Sequence, residues 1–154
     1  MQRTDFRQVF LEATSEVLET MFFTGVVEEN AEETGETLVS AELIFHGQPS
    51  GRFGVRVPCS TGRLIAASFL GLDEAEVSSE KIGEVVCELT NMICGSVLSR
   101  MEAGARFELM HPEVDPLNTD WREHPEVTGY TFGLEEGALT LWMAVEENKP
   151  ALVG

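Results

Sequence analysis

Apolar residues recur every three to four positions across residues 78–102, which is the period of an amphipathic helix. At about 100° per residue, one group of side chains falls within roughly 80° and predicts a buried stripe; this group is Ile82, Val86, Leu89, Ile93 and Val97. The opposite side carries Glu84, Glu88, Asn91 and Gly95. A solvated helix face usually mixes charges and long side chains, so two carboxylates, an amide and a glycine indicate a functional surface.

A second helical pattern opens the chain over residues 5–23, with Thr4 or Asp5 as its expected N-cap. Its apolar positions predict a core face made of Phe6, Val9, Phe10, Ala13, Val17 and Met21. A shorter helix is expected between Pro58 and Gly71, with a serine or threonine as its cap.

Elsewhere the apolar period changes to two, which predicts strands. Residues 38–46 and 52–58 alternate in this way around the turn GQPSG and predict a hairpin. Residues 106–112 predict a third short strand, and residues 128–134 and 138–146 predict a closing hairpin. Tight turns between neighbouring strands imply mainly antiparallel pairing.

These elements predict one domain over residues 1–154 with an α+β fold. Because each strand is apolar on one face only, we expect two layers, with the long helices packed on one face of a mainly antiparallel sheet. Arg52 and Arg56 alternate with the apolar positions of their strand and are expected to form a solvated face. The acidic, turn-rich segment 28–37 is expected to be an exposed loop.

Composition narrows the class of protein. With 43% hydrophobic and 24% charged residues the chain is globular, and 27 acidic against 10 basic residues leave a net charge of −17. That charge repels phosphate backbones and anionic lipid, so we expect neither nucleic acid nor a membrane as partner. No apolar run is long enough to span a bilayer, and the N-terminal residues lack the apolar core of an export signal. We therefore expect a cytoplasmic protein.

The three cysteines suggest no chemistry of their own. Cys87 and Cys94 would lie roughly 10 Å apart along a helix axis, beyond the reach of a disulfide. Together with Cys59 they show no CxxC spacing, and the histidines do not cluster in the sequence. We expect reduced thiols, with Cys87 and Cys94 as small buried apolar residues, and neither a metal site nor a cofactor of the chain's own.

An internal repeat links the two long helices, because a shift of 76 residues superimposes the apolar positions of the first on those of the second. The shift also aligns two polar pairs, Glu12 with Glu88 and Thr14 with Thr90. The copies differ at two positions: Ser15 stands at the place of Asn91, and Glu19 at that of Gly95. If the fold is a pseudo-duplication, only the second copy keeps the polar surface.

Glu88 and Asn91 are three residues apart, so they project together from a helix. A carboxylate accepts hydrogen bonds or pairs with a cation, and a carboxamide offers a donor and an acceptor on one plane. The pair therefore suits clasping a cation and orienting a water, and no serine, cysteine or histidine completes a nucleophilic triad with it. A mid-helix glycine costs about 1 kcal/mol relative to alanine, so Gly95 indicates that an incoming surface approaches closely.

The segment ELTNMICG, from Glu88 to Gly95, resembles the Glu-x-x-Asn-x-x-x-Gly signature of the CheC, CheX and FliY phosphatases of bacterial chemotaxis. The order of helices and strands also resembles CheX over nearly the whole chain, and the single intact motif favours one-site CheX over CheC, which usually carries two sites. Two departures are visible. Glu84 stands where the family often has Asp or Ser, and the proline that usually follows the Asn is offset, to Pro112 or Pro116.

The resemblance implies a phosphatase that acts on the aspartyl phosphate of a CheY-like response regulator. Asn91 would orient the attacking water and Glu88 would engage the active-site lysine of the regulator, with Glu84 and Gly95 as partner contacts. Mg²⁺ would belong to the receiver domain of the regulator, and a homodimer is expected as in CheX proteins. The alternative is a non-catalytic module that binds a receiver, or a flagellar-switch scaffold, through the same helix.

Overall fold

The structure is a computed structural model and describes residues 6–33, 35–116 and 126–146. In chain order its elements are α1 (Phe6–Met21), β1 (Val26–Glu28), β2 (Leu38–His46), β3 (Gly51–Pro58), α2 (Cys59–Leu70), a 3₁₀ turn (Glu74–Glu76), α3 (Ser79–Met101), β4 (Glu108–Leu109), β5 (Glu113–Val114), β6 (Val127–Leu134) and β7 (Gly137–Val145). The helix caps expected at Thr4 or Asp5 lie outside the described residues.

The strands form one sheet in the order β1-β6-β7-β3-β2-β4, and β5 also pairs with β2. Every pairing is antiparallel. Both predicted hairpins are confirmed: in the first, Leu38 lies opposite Pro58 and Phe45 opposite Gly51, and in the second, Leu134 lies opposite Gly137.

The helices cover one face of this sheet, with α3 packed between α1, α2 and the strands β2 and β3. The predicted α+β fold with two layers is therefore confirmed. The alternating apolar positions of the strands are buried in the core, for example Phe53, Val55 and Val57 of β3.

The sequence pattern missed two strands. The three-residue β1 pairs with β6, and the two-residue β5 pairs with β2 inside a segment expected to be loop. The third predicted strand is reduced to the two residues of β4. Strands this short show no alternation, and they form because a neighbouring strand offers unpaired backbone groups.

The core face of α1 also differs from the prediction. Met21 is 43% exposed, whereas Leu18 and Phe22 are buried. The buried residues of the helix, Phe10, Ala13, Thr14, Val17 and Leu18, define a stripe that continues to Phe22. Phe22 directly follows the helix and stacks on Phe69 of α2, with ring centroids 4.7 Å apart. This tertiary contact buries Phe22 in place of Met21.

The prediction for Arg56 is wrong. Arg52 does lie on a solvated face, where it pairs with Glu42 at 2.5 Å, but Arg56 is only 4% exposed. Its Nε donates to Oε2 of Glu33 at 2.7 Å, and a terminal nitrogen donates to Oε1 of the same carboxylate at 2.5 Å. A guanidinium is buried only with such a partner, so the acidic segment, although mostly exposed, is held against the sheet at Glu33.

The expected serine or threonine cap of α2 is also wrong. The helix begins at Cys59 with Pro58 in the cap position and no capping side chain. Ser60 instead donates to Glu36 at 2.6 Å, and Thr61 donates to the carbonyl of Glu136 at 2.9 Å. Both hydroxyls therefore tie α2 to loops that are distant in sequence.

Candidate functional site

Helix α3 is the scaffold of the site. The hydroxyl of Ser78 accepts a hydrogen bond from the backbone N–H of Lys81 at 3.2 Å and caps the helix, which then runs to Met101. The predicted stripe is confirmed, since Ile82, Val86, Leu89, Ile93 and Val97 are all at most 1% exposed. By length and composition α3 is the one described helix that could cross a bilayer, but 56% of its apolar window is buried inside this fold. It is packed as a core helix.

The opposite side of α3 presents the predicted polar residues. Glu84, Glu88 and Asn91 are exposed, and Gly95 is half-buried. Within the described chain, neither Glu88 nor Asn91 makes an ion pair or hydrogen bond with another residue. A Cβ at Gly95 would meet nothing within 4 Å. Packing within the described part of the chain therefore does not require this glycine, and the space beside it is open to an outside molecule.

Glu88 and Asn91 face a groove of about 340 Å³. Cys87 lies with them along one wall, and the segment from Leu109 to Pro112, which follows β4, forms the other. This wall brings His111, an exposed residue, to the site. Sequence reasoning missed His111 because its position depends on β4 pairing with the edge of β2, which no local pattern reveals.

Glu84 lies on the same face of α3 but lines a second, larger groove of about 510 Å³. Gly83 and Pro116 line this groove as well, and Cys87 lines both grooves. The two candidate prolines are thereby separated, because Pro112 borders Glu88 and Asn91 whereas Pro116 borders Glu84. Glu88 and Asn91 thus line the same groove, whereas Glu84 lines the neighbouring one.

The Cys87 thiol that lines the groove is not an activated nucleophile. Burial raises the pKa of the Cys87 thiol, and the nearby carboxylates of Glu88, Glu113 and Glu84 raise it further. Because the thiolate is the reactive form, Cys87 stays protonated and weakly nucleophilic at neutral pH. Burial alone raises the pKa of Cys94 well above its ordinary value, and all three cysteines are free.

Neither lysine nor arginine is among the described residues that line the groove. In the described part of the chain, no cluster of three or more histidine, cysteine, aspartate or glutamate side chains is arranged to hold a metal ion. A bare phosphate would therefore meet the carboxylate of Glu88 with neither a lysine nor an arginine among the described lining residues to offset the repulsion. What the surface can do is accept a hydrogen bond from a cation through Glu88 and orient a small polar molecule through the amide of Asn91.

The corresponding surface of α1 is engaged within the chain. Arg100, in the last turn of α3, pairs with Glu12 at 3.3 Å and also with Glu16. The amide of Gln8 donates to the carboxylate of Glu12 at 3.0 Å. Glu12 occupies the position that aligns with Glu88, so the first copy differs from the second in its contacts as well as in its residues.

Solved structures of several chemotaxis proteins share this fold. The chain is 21% identical to the chemotaxis protein CheX of Vibrio vulnificus, with a TM-score of 0.74, over 95% of this chain and 99% of that one. It is 20% identical to a CheX of Borrelia burgdorferi solved as a CheX–CheY–BeF₃–Mg²⁺ complex, with a TM-score of 0.69, over 94% and 100% of the two chains. FliY of Thermotoga maritima is more distant, at 14% identity and a TM-score of 0.57, over 94% and 92%.

Comparison with models of protein families also identifies a chemotaxis family. No curated protein sequence matches the chain. The family model described as chemotaxis phosphatase CheX, however, matches residues 39–117, a span that contains α3, Glu88 and Asn91 and amounts to just over half of the chain. The resemblance carried by the Glu-x-x-Asn-x-x-x-Gly segment is thereby confirmed, and the chain belongs to the CheX family of chemotaxis phosphatases.

Proposed function

We propose that this protein accelerates hydrolysis of the aspartyl phosphate on a CheY-like receiver domain. In this proposal α3 enters the active site of the receiver, where Asn91 orients the attacking water and Glu88 engages the active-site lysine. Glu84 and Gly95 contact the receiver at the edge of this surface. We further propose that the protein acts in the cytoplasm as a homodimer and needs neither a nucleic acid nor a membrane.

The phosphatase needs to supply only a small part of the reaction chemistry. Phosphoryl transfer depends on an in-line nucleophile and on neutralisation of the charge on the phosphoryl oxygens. A phosphorylated receiver already holds the phosphoryl group and its metal ion, so the missing component is a positioned water. Holding a reactant in place lowers a barrier by as much as roughly 7 to 11 kcal/mol in ideal cases.

One observation carries the proposal: Glu88 and Asn91 stand exposed beside a groove whose described lining offers neither an activated thiol nor a lysine or arginine to bind phosphate. A phosphatase of small free phosphate esters would need one or both of these groups. A surface that completes the active site of another protein needs neither. The protonated Cys87 also argues against a phosphocysteine intermediate.

The metal ion is expected to come from the partner. The Borrelia burgdorferi structure contains CheX together with CheY, BeF₃ and Mg²⁺, and by analogy we assign Mg²⁺ to the receiver in the present case. The acidic chain, with its net charge of −17, would repel a phosphorylated surface that lacked a bound cation.

A timed measurement tests the proposal. CheY-like receivers from the same organism are phosphorylated with labelled phosphate in Mg²⁺, and the loss of label is followed with and without this protein. We expect a shortened phosphate lifetime with the natural protein and not with Asn91→Ala, whose folding is checked by circular dichroism. The variant Ser15→Ala serves as the matched control on α1. Stable binding without any change in phosphate lifetime would overturn the proposal in favour of a non-catalytic scaffold.

A further inference from the structure

The two grooves along α3 adjoin each other at Cys87. Cys87 lines both the 340 Å³ groove at Glu88 and Asn91 and the 510 Å³ groove toward the start of the helix. We call the larger one the upper groove. Its floor and walls are largely apolar and include Val39, Gly83 and Val114.

The upper groove depends on the close approach of β5 to α3. A Cβ at Gly83 would lie 3.1 Å from Cγ2 of Val114, so the glycine lets the strand lie against the helix. Val114 is nevertheless 43% exposed, and Met110, which lines the groove at Asn91, is 42% exposed. Two of the large exposed apolar side chains of the molecule therefore border the surface that carries Glu88 and Asn91.

Acidic side chains border the same surface. Glu80 and Glu84 line the upper groove from the side of α3, and Glu88 continues the row one turn further along the helix. No lysine or arginine is found among the described residues that line either groove. This surface therefore combines the largely apolar upper groove with a row of carboxylates.

We propose that the upper groove is a second docking site for the receiver and receives an apolar side chain that is flanked by lysine or arginine. This inference rests on the proposed function, since it takes the occupant of the groove at Asn91 to be a receiver. Continuity through Cys87 makes the same partner the occupant of both grooves, and the carboxylates of Glu80 and Glu84 select a basic segment. The upper groove would then determine which receivers are recognised, while Asn91 acts on the phosphate.

The test measures affinity separately from catalysis. Receivers from the same organism are loaded with Mg²⁺ and BeF₃, and their dissociation constants are measured by calorimetry against the natural protein. We expect Val114→Ser to weaken binding by about tenfold, the value of burying much of one apolar side chain. The double variant Glu80→Gln/Glu84→Gln should weaken binding and flatten its dependence on salt, because two charge pairs are lost. Leu70→Ser is the matched control, since Leu70 is also 42% exposed but lines neither groove.

The result separates the two proposals. In steady-state assays the groove variants should raise KM for the phosphorylated receiver more than they lower kcat, whereas Asn91→Ala should lower kcat. If the groove variants bind as tightly as the natural protein while Asn91→Ala loses activity, the upper groove is not a docking site and the proposed function stands. If the natural protein binds no activated receiver from the organism, the proposed function fails and this inference fails with it. Binding that weakens equally in Leu70→Ser overturns the inference, because the loss is then not specific to the groove.

Discussion

Helices α1 and α3 both bury an apolar face in the core, but the polar residues on their outer faces make different contacts. At the inner positions related by the shift of 76 residues, Phe10 and Val86 are buried, as are Leu18 and Cys94. The outer positions diverge: Glu12 is engaged by Arg100 and Gln8, whereas Glu88 has no partner in the described chain.

One buried threonine on each helix is alike in burial but different in hydrogen bonding. Thr14 and Thr90 are both completely buried. The hydroxyl of Thr90 donates to the carbonyl of Val86 at 2.7 Å, but that of Thr14 has no hydrogen-bond partner in the described structure. The equivalent positions of the two helices are therefore built alike but are not equally satisfied.

Two helices can share a packing pattern while the chemistry of their outer surfaces differs. A core face is constrained by volume and burial, so it tolerates Phe10 in one helix and Val86 in the other. An outer face is free to change, and on α1 its carboxylates form ion pairs with the neighbouring helix. On α3 they stay exposed, at the edge of a groove.

The largest expected difference is catalytic. Replacing Asn91 with alanine should lower the accelerated rate of receiver dephosphorylation by at least about 100-fold, the typical loss for one positioned polar group. Ser15→Ala should leave that rate unchanged. Loss of label from the phosphorylated receiver measures both, and equal rates for the two variants would remove Asn91 from the mechanism.

The next difference concerns the carboxylates. We expect Glu88→Gln to reduce the accelerated rate by about tenfold to 100-fold, because it removes a charge-assisted hydrogen bond to the receiver lysine. Glu12→Gln should retain activity, since Glu12 already pairs with Arg100. The same assay at saturating receiver distinguishes them, and a Glu88→Gln protein with full activity would contradict the assigned role.

The buried threonines predict a difference in stability. Thr90→Val should lower the free energy of unfolding by about 1 kcal/mol, because a satisfied buried hydrogen bond is lost. Thr14→Val should leave it unchanged or raise it, because the hydroxyl removed has no partner in the described structure. Urea unfolding measures both values, and a larger loss for Thr14→Val than for Thr90→Val would show that Thr14 is satisfied in solution.

Glycine exchange should change stability in opposite directions on the two helices. Gly95→Ala is expected to raise the free energy of unfolding by up to about 1 kcal/mol, since alanine favours the helix and its Cβ meets nothing within 4 Å. Glu19→Gly should lower stability by a similar amount. Thermal unfolding checks both, and receiver binding should weaken in Gly95→Ala alone if the glycine gives clearance to the partner.

The smallest effect is expected at the ion pairs of α1. Arg100→Gln frees Glu12 and Glu16 but should lower stability by less than about 1 kcal/mol, because exposed pairs are screened by water. Dephosphorylation should not change. A loss of several kcal/mol in urea unfolding would mean that Arg100 holds the two helices together.

Sequence alone was sufficient where the information is local. The helical period of α3 determined its buried stripe, and the spacing of Glu88 and Asn91 put both on its other side, because side chains three residues apart share a helix face. The two-residue period located both hairpins, with the first predicted at residues 38–46 and 52–58 and found as Leu38–His46 and Gly51–Pro58. The α+β class followed from these elements.

Only the tertiary structure decided what depends on contacts between distant residues. Arg56 is buried because Glu33, on another segment, reaches it, and His111 stands beside Asn91 because β4 pairs with the edge of β2. Glu12 and Glu88 occupy equivalent positions in the repeat, and nothing local shows that only Glu12 is paired, because its partner Arg100 lies 88 residues away. Periodicity records which way a side chain points, but the group that it meets there is set by the packing of the whole chain.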